Sequence, residues 1–150
     1  MRILSGECET ITVNGQPVSI CGVDDPAIDR AEGQRIFLEQ LDRVGAAEKD
    51  GAFALLLAHR PEFAETYAAY EFDLTLCGHA HGGQWRIPGI QNGLYAPDQG
   101  LFPKYAGGMY ALDHMTMIVS RGLARESTRV PRIFNRPELV IVEIDPGYIQ

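Results

Sequence analysis

The chain of 150 residues is long enough for one domain with a buried core, and a composition 45% hydrophobic and 22% charged excludes general disorder. A net charge of -7 excludes a nucleic-acid-binding surface, which needs a Lys/Arg excess, and requires any anionic ligand to be attracted locally. No apolar run approaches the roughly 18 residues of a membrane span and no signal-peptide core follows Met1, so the chain as written is expected to be cytoplasmic.

The N-terminal region predicts a β-hairpin, with Thr10 to Val13 and Val18 to Val23 as strands around the turn signal Asn14-Gly15. Cys8 and Cys21 can face each other across it, which leaves a disulfide open, but buried reduced thiols are expected for these two and for Cys77. After Asp24-Asp25-Pro26, the spacing of Ile36, Phe37, Leu41 and Val44 predicts a helix from about Asp29 to Ala46. The acidic residues Glu7, Glu9, Asp24 and Asp25 are expected to be hairpin and turn polarity.

Phe53 to Ala58 is a continuous apolar run, the pattern of a strand buried on both faces, and it ends at His59. Pro61 suits the first turn of a helix expected from about Glu62 to Tyr70. Phe72 to Cys77 predicts a second buried strand, ending at Gly78-His79-Ala80-His81-Gly82-Gly83-Gln84. A strand, crossover helix and strand make two parallel neighbours, and ligands in open α/β sheets sit beyond the carboxyl ends of strands. His59, His79 and His81 are therefore expected to converge.

The Gly/Pro-rich stretch from Gly82 to Gly108 predicts a long loop with one short strand around Trp85 to Ile87. Trp85, Tyr95, Phe102 and Tyr105 either line a cleft there or pack the loop on the sheet. Strands are predicted at Gly108 to Leu112 and Met115 to Ser120, with His114 in the turn as a structural residue. A last strand is predicted at Leu139 to Ile144. The fold class is α/β.

Neutral imidazole is a common ligand for divalent transition metals. Residue types and spacing alone leave three alternatives: polar groups satisfied by hydrogen bonds, one zinc held by three histidines with an open position for water, or part of a larger two-metal site that also needs carboxylates.

Gly78-His79-Ala80-His81 resembles the G-H-x-H signature that closes the calcineurin-like metallophosphoesterase domain, and Leu57-Ala58-His59-Arg60-Pro61-Glu62 resembles that superfamily's strand-end histidine segment. Lys104 to Gly108, Ser120 to Leu123 and Arg136 to Leu139 resemble a bacterial phosphohydrolase branch, some members of which act on phosphodiester or pyrophosphate bonds of lipid-linked nucleotides. The resemblance runs from Val13-Asn14-Gly15 to Ile144. It implies the C-terminal portion of an αββα sandwich, with His59 and His79 on one metal ion and His81 on the other. Two divalent ions (Mn, Fe, Zn or Mg) would clamp a phosphoryl group and generate a bridging hydroxide that hydrolyses a phosphomono- or phosphodiester. Arg60 would either help hold the phosphate or stand as a solvated surface charge, and the N-terminus of the helix near Pro61 would favour the anion.

The superfamily's D-x-H, G-D-x-x-D and G-N-H-D/E motifs do not occur in this sequence, and in the resemblance Asp24-Asp25 lies outside the metal set. Residues 1–150 are therefore expected to be a single partial domain. With three neutral imidazoles and no carboxylate, the chain alone is expected to bind metal singly and weakly and to be catalytically incomplete. Its open sheet edge is expected to be covered by dimerising or by exchanging segments. A membrane is expected as a partner only through a further N-terminal segment. The competing expectations are an oligomeric interaction module without catalysis and a mononuclear zinc hydrolase.

Overall fold

The computed structural model describes residues 2–47, 51–87, 89–123 and 131–145. Strands β1 (Glu7–Val13) and β2 (Gln16–Gly22) form the expected hairpin. Asn14 and Gly15 have φ of 50° and 81°, the left-handed pair that a two-residue hairpin turn requires. That turn fixes the register and sets Cys8 opposite Cys21, with Cα atoms 4.0 Å apart. The two sulfurs are joined in a disulfide, which corrects the expectation of reduced thiols at these positions. Cys77 is free and buried, and burial pushes its thiol up to about 12.

Beyond the hairpin, Asp25 caps a short 3-10 turn at Pro26–Ile28 through its side chain, which accepts from the Ala27 amide at 2.8 Å. Asp29 accepts from the amides of Ala31 and Glu32, a local turn that competes with helix. Helix α1 (Gly33–Gly45) therefore starts later than its apolar period suggested. Phe37, Leu41 and Val44 form its buried stripe.

Strand β3 (Phe53–Leu57) is followed by a 3-10 turn at Pro61–Phe63 and the one-turn helix α2 (Ala64–Tyr67), then by β4 (Leu74–Cys77). The long helix expected to Tyr70 does not form. The amides of Ala69 and Tyr70 bond three residues back, to Thr66 and Tyr67, and so tighten and end the helix. An element this short carries little macrodipole, so the expected anion-attracting helix terminus is corrected.

The loop after β4 holds a 3-10 turn at His81–Gly83 and two-residue strands β5 (Tyr95–Ala96) and β6 (Gly100–Leu101). Around Trp85 to Ile87 there are only isolated bridges, to Ile133 and Gln91. Of the loop aromatics, Tyr105 is buried and meets Tyr110 edge-on at 5.0 Å, whereas Trp85, Tyr95 and Phe102 are exposed. Strands β7 (Gly108–Leu112) and β8 (Met115–Val119) pair as expected. His114 lies exposed in their turn with Nε2 at 2.9 Å from the Tyr70 carbonyl.

The main sheet has the order β1-β2-β3-β4-β8-β7, with parallel pairing from β2 through β3 and β4 to β8 and antiparallel strands at both edges. The α/β class stands, and β2 is a third parallel neighbour in the unit that holds β3 and β4. One face, carrying Cys21, Leu56, Cys77 and Met117, is buried with α1 and Tyr67 in the hydrophobic core. Among the described residues no helix is long and apolar enough to cross a membrane.

The final predicted strand is corrected. Residues 139–145 have no strand pairing, and Leu139 and Ile141 are 75% and 86% exposed. Strand propensity is realised only against a neighbour, and neither β1 nor β7 supplies one.

Candidate metal centre

Three adjacent parallel strands end on one rim, and their ladder continues past the strands. Val23 N bonds Leu57 O at 3.2 Å, Ala58 N bonds Leu76 O at 3.1 Å and Gly78 N bonds His59 O at 3.1 Å. Asp25, His59 and His79 thus follow the carboxyl ends of β2, β3 and β4 in turn, where an α/β sheet places its ligands.

His59 Nε2 lies 3.2 Å from His79 Nδ1, with the rings edge to face. Asp25 Oδ2 is 3.6 Å from the same His59 nitrogen. One ligand atom from each of Asp25, His59 and His79 lies within 4.8 Å of the other two. On the far side of the His79 ring, Nε2 is 2.8 Å from Asp98 Oδ2. In a second cluster, ligand atoms of Glu62, His79 and Asp98 also lie within 4.8 Å of one another.

Arg60 fills that second cluster. Its side chain is only 13% exposed, and its Nη1 is ion-paired to both Glu62 and Asp98 while Nε donates to Asp25 Oδ1 at 2.8 Å. Arg60, the expected phosphate contact, is held by three carboxylates, so any phosphate would have to displace them. Asp25 Oδ2 is left facing the histidines.

His81, expected beside the other two, belongs to neither cluster. Its φ is 49° and that of His79 is 59°, both in the left-handed region, where non-glycine residues cost on the order of 1 kcal/mol or more. The loop is held in that shape from outside. Asn135 is 2% exposed, and its Nδ2 donates to the carbonyls of His81 at 2.7 Å and Gln84 at 3.1 Å. Gly82 has φ of 66°, and a Cβ there would sit 2.3 Å from Asn135 Oδ1, so only glycine fits.

Charge is balanced locally. Burial opposes ionisation of Asp25, but the Ala27 amide and the Arg60 guanidinium outweigh it and hold the carboxyl below its ordinary value. Burial, followed by the neighbouring His79, lowers His59. Burial, followed by Arg132, lowers His81. Both shifts favour the neutral imidazole, the form that binds metal.

Asp25 and Asp98 were missed as site residues by sequence reasoning. Asp25 follows a hairpin strand whose parallel pairing with β3 has no local signature. Asp98 lies in a Gly/Pro-rich loop and reaches His79 only through the tertiary fold.

The chain is 30% identical over 129 residues to "Uncharacterized metallophosphoesterase YkuE" of Bacillus subtilis, a match covering 85% of this chain and 41% of that protein. It is 34% identical over 90 residues to "Phosphodiesterase YaeI" of Escherichia coli, covering 60% of this chain and 32% of that one. It is 35% identical over 68 residues to "Uncharacterized metallophosphoesterase Cj0846" of Campylobacter jejuni, covering 45% and 17%. The chain therefore spans less than half the length of each of these relatives. No protein-family model matches it, and no solved structure matches it.

Proposed function

Since the chain belongs to the metallophosphoesterases, we propose that it forms part of a divalent-metal-dependent phosphohydrolase site with His59, His79 and His81 as metal ligands. The observation that carries this reading is the meeting of His59 Nε2 and His79 Nδ1 at 3.2 Å, past the ends of adjacent parallel strands. The donor set fits a divalent ion: two imidazoles, with burial favouring the neutral form of His59, set among carboxylates that supply the anionic charge. Bound there, Mn, Fe, Zn or Mg would act as a Lewis acid on a phosphoryl oxygen and lower the pKa of water.

The chain's own groups have distinct tasks. Asp98 accepts the His79 Nε2 proton, which fixes the tautomer and turns the Nδ1 lone pair towards His59. Arg60 positions Asp25 and Asp98 through its ion pairs, and its guanidinium would meet a phosphate that replaced one of them. His81, in the loop braced by Asn135, would be the ligand for a second ion. The substrate class is a phosphomono- or phosphodiester, and one relative's description as a phosphodiesterase favours the diester.

The test is hydrolysis of bis-p-nitrophenyl phosphate by the purified chain with added Mn, beside metal content by elemental analysis. Activity with two metals per chain, abolished by His79→Ala, supports the dinuclear phosphohydrolase. Metal-independent hydrolysis unaffected by that substitution overturns it.

A second reading, an oligomeric interaction module without catalysis, is favoured by the sheet face opposite the core. There Val18, Ile20, Phe53, Leu55, Leu76 and Ile118 are only half-buried, and Leu57 is 40% exposed. Ion binding without hydrolysis, in a chain that self-associates, would favour this reading.

A further inference from the structure

We infer that Asp25 is a direct ligand of the ion held by His59 and His79, so that this chain by itself forms a two-histidine, one-carboxylate site for a single divalent first-row metal. The inference rests on the metal-dependent reading above and goes beyond it, because the resemblance that suggests the histidines leaves the Asp-Asp-Pro segment outside the metal set.

Geometry carries the case. Ligand atoms bound to one ion at about 2.0–2.1 Å stand about 2.8–3.0 Å apart as octahedral neighbours and about 3.3–3.4 Å apart in a tetrahedron. The His59 Nε2 to His79 Nδ1 separation is 3.2 Å, that from His59 Nε2 to Asp25 Oδ2 is 3.6 Å, and the ligand atoms of all three residues lie within 4.8 Å of one another, so two of the three separations are at or near those of a shared ion. The three residues come from the ends of three adjacent strands, a rigid arrangement that keeps donor atoms in register.

The two carboxyl oxygens of Asp25 are also differentiated. Oδ1 takes the Ala27 amide and the Arg60 Nε, whereas Oδ2 faces His59. Outer-shell groups that anchor one oxygen while the other points at the metal are the usual support for a ligating carboxylate. Likewise the Nε2 of His79 is engaged by Asp98, which leaves Nδ1 for the metal. The alternative cluster of Glu62, His79 and Asp98 is less suited, since the Arg60 guanidinium already neutralises it. Two imidazoles and one carboxylate with further positions open to water suit Mn²⁺, Fe²⁺ or Zn²⁺.

The experiment is titration of the full chain with Co²⁺ and with Zn²⁺, followed by the visible Co²⁺ spectrum and by calorimetry. Asp25→Asn should lower affinity by at least the roughly 10–100-fold that loss of an outer-shell partner costs, and should change the Co²⁺ bands. His59→Ala should do the same. Arg60→Met, which removes an anchor of Asp25 Oδ1 but keeps the carboxylate, should weaken binding less than Asp25→Asn does and should leave the Co²⁺ bands in place. In the unsubstituted chain, Zn²⁺ should shift the Asp25 side-chain carboxyl ¹³C resonance together with the His59 and His79 ring ¹⁵N resonances, a readout that survives if Asp25→Asn fails to fold. Wild-type affinity in Asp25→Asn with loss in His59→Ala overturns the Asp25 assignment and leaves the histidine reading standing. Equal weakening in Arg60→Met and Asp25→Asn overturns it in favour of a purely structural ion pair. Absence of any bound ion in the unsubstituted chain overturns both.

Discussion

The two faces of the main sheet are built from the same strands but have different surroundings. On one face Cys21, Ala54, Leu56, Thr75 and Met117 are almost completely buried, and the apolar members join α1 and α2 in the core. On the other, the residues paired across the ladder, Leu57, Leu76 and Ile118, stay partly exposed and outside the core cluster. Strands β2, β3, β4 and β8 present no charged side chain on that second face. Alternation in these strands is thus not apolar against polar but apolar on both sides, the pattern of a sheet meant to be covered twice. An apolar face left open on a soluble monomer is the feature by which an interaction surface is recognised, and the substitutions below test whether this one is covered. Its Leu57 lies two residues before His59, so whatever covers the face also comes near the rim that carries the candidate metal ligands.

Substitutions one residue apart test the contrast most strongly. Leu56→Ala should cost about 2–5 kcal/mol by denaturant unfolding, because the side chain is wholly enclosed. Leu55→Ala, on the open face, should cost less than half of that. Equal losses would show that the second face is covered in solution.

Next in size is the Cys8–Cys21 disulfide, which ties edge strand β1 to β2. Opening a bridge across a loop of this length costs about 3 kcal/mol, so reductant should lower the melting temperature by several degrees without altering the buried face. No change on adding reductant would break the assignment. A formed bridge is also characteristic of oxidising compartments, which sets it against the cytoplasmic expectation.

A charge on the open face should act on association rather than folding. If the face pairs with a second copy, Leu76→Glu should raise the dimer dissociation constant more than about tenfold, equivalent to roughly 1.4 kcal/mol, in sedimentation equilibrium. The same substitution should leave the melting temperature of the monomer nearly unchanged. A chain that is monomeric at high concentration before substitution would remove the second-copy explanation.

The smallest effect belongs to the rim. His59 and His81 are lowered in the folded chain, chiefly by burial, so the unfolded chain binds more protons. Stability should therefore decline as pH falls below the ordinary histidine value of about 6.5 and should level off below the folded values. Melting temperatures between pH 7.5 and 5.5 read this directly. The lowered carboxyls of Asp25 and Glu138 contribute stability that is lost only further down, below the ordinary carboxylate range. Added Zn²⁺ should steepen the decline, because protons and metal compete for the same imidazoles.

Local sequence signals determined a good part of this architecture. Asn14-Gly15 dictated the hairpin because only φ-positive residues close a two-residue turn. The uninterrupted apolar runs at Phe53 and Phe72 dictated buried parallel strands, and the histidines directly after them had to meet at one rim. The period of Phe37, Leu41 and Val44 dictated α1, though not its late start. Tertiary structure decided what depends on contacts between distant segments. The parallel docking of β2 on β3 brought Asp25 beside His59, and the fold of the loop after β4 brought Asp98 to His79 and left His81 apart. Register across the hairpin joined Cys8 to Cys21. The segment from Leu139 to Ile144 has strand propensity but no strand beside it. Period and propensity describe a residue's own segment, whereas these outcomes depend on which surfaces and edges other segments supply.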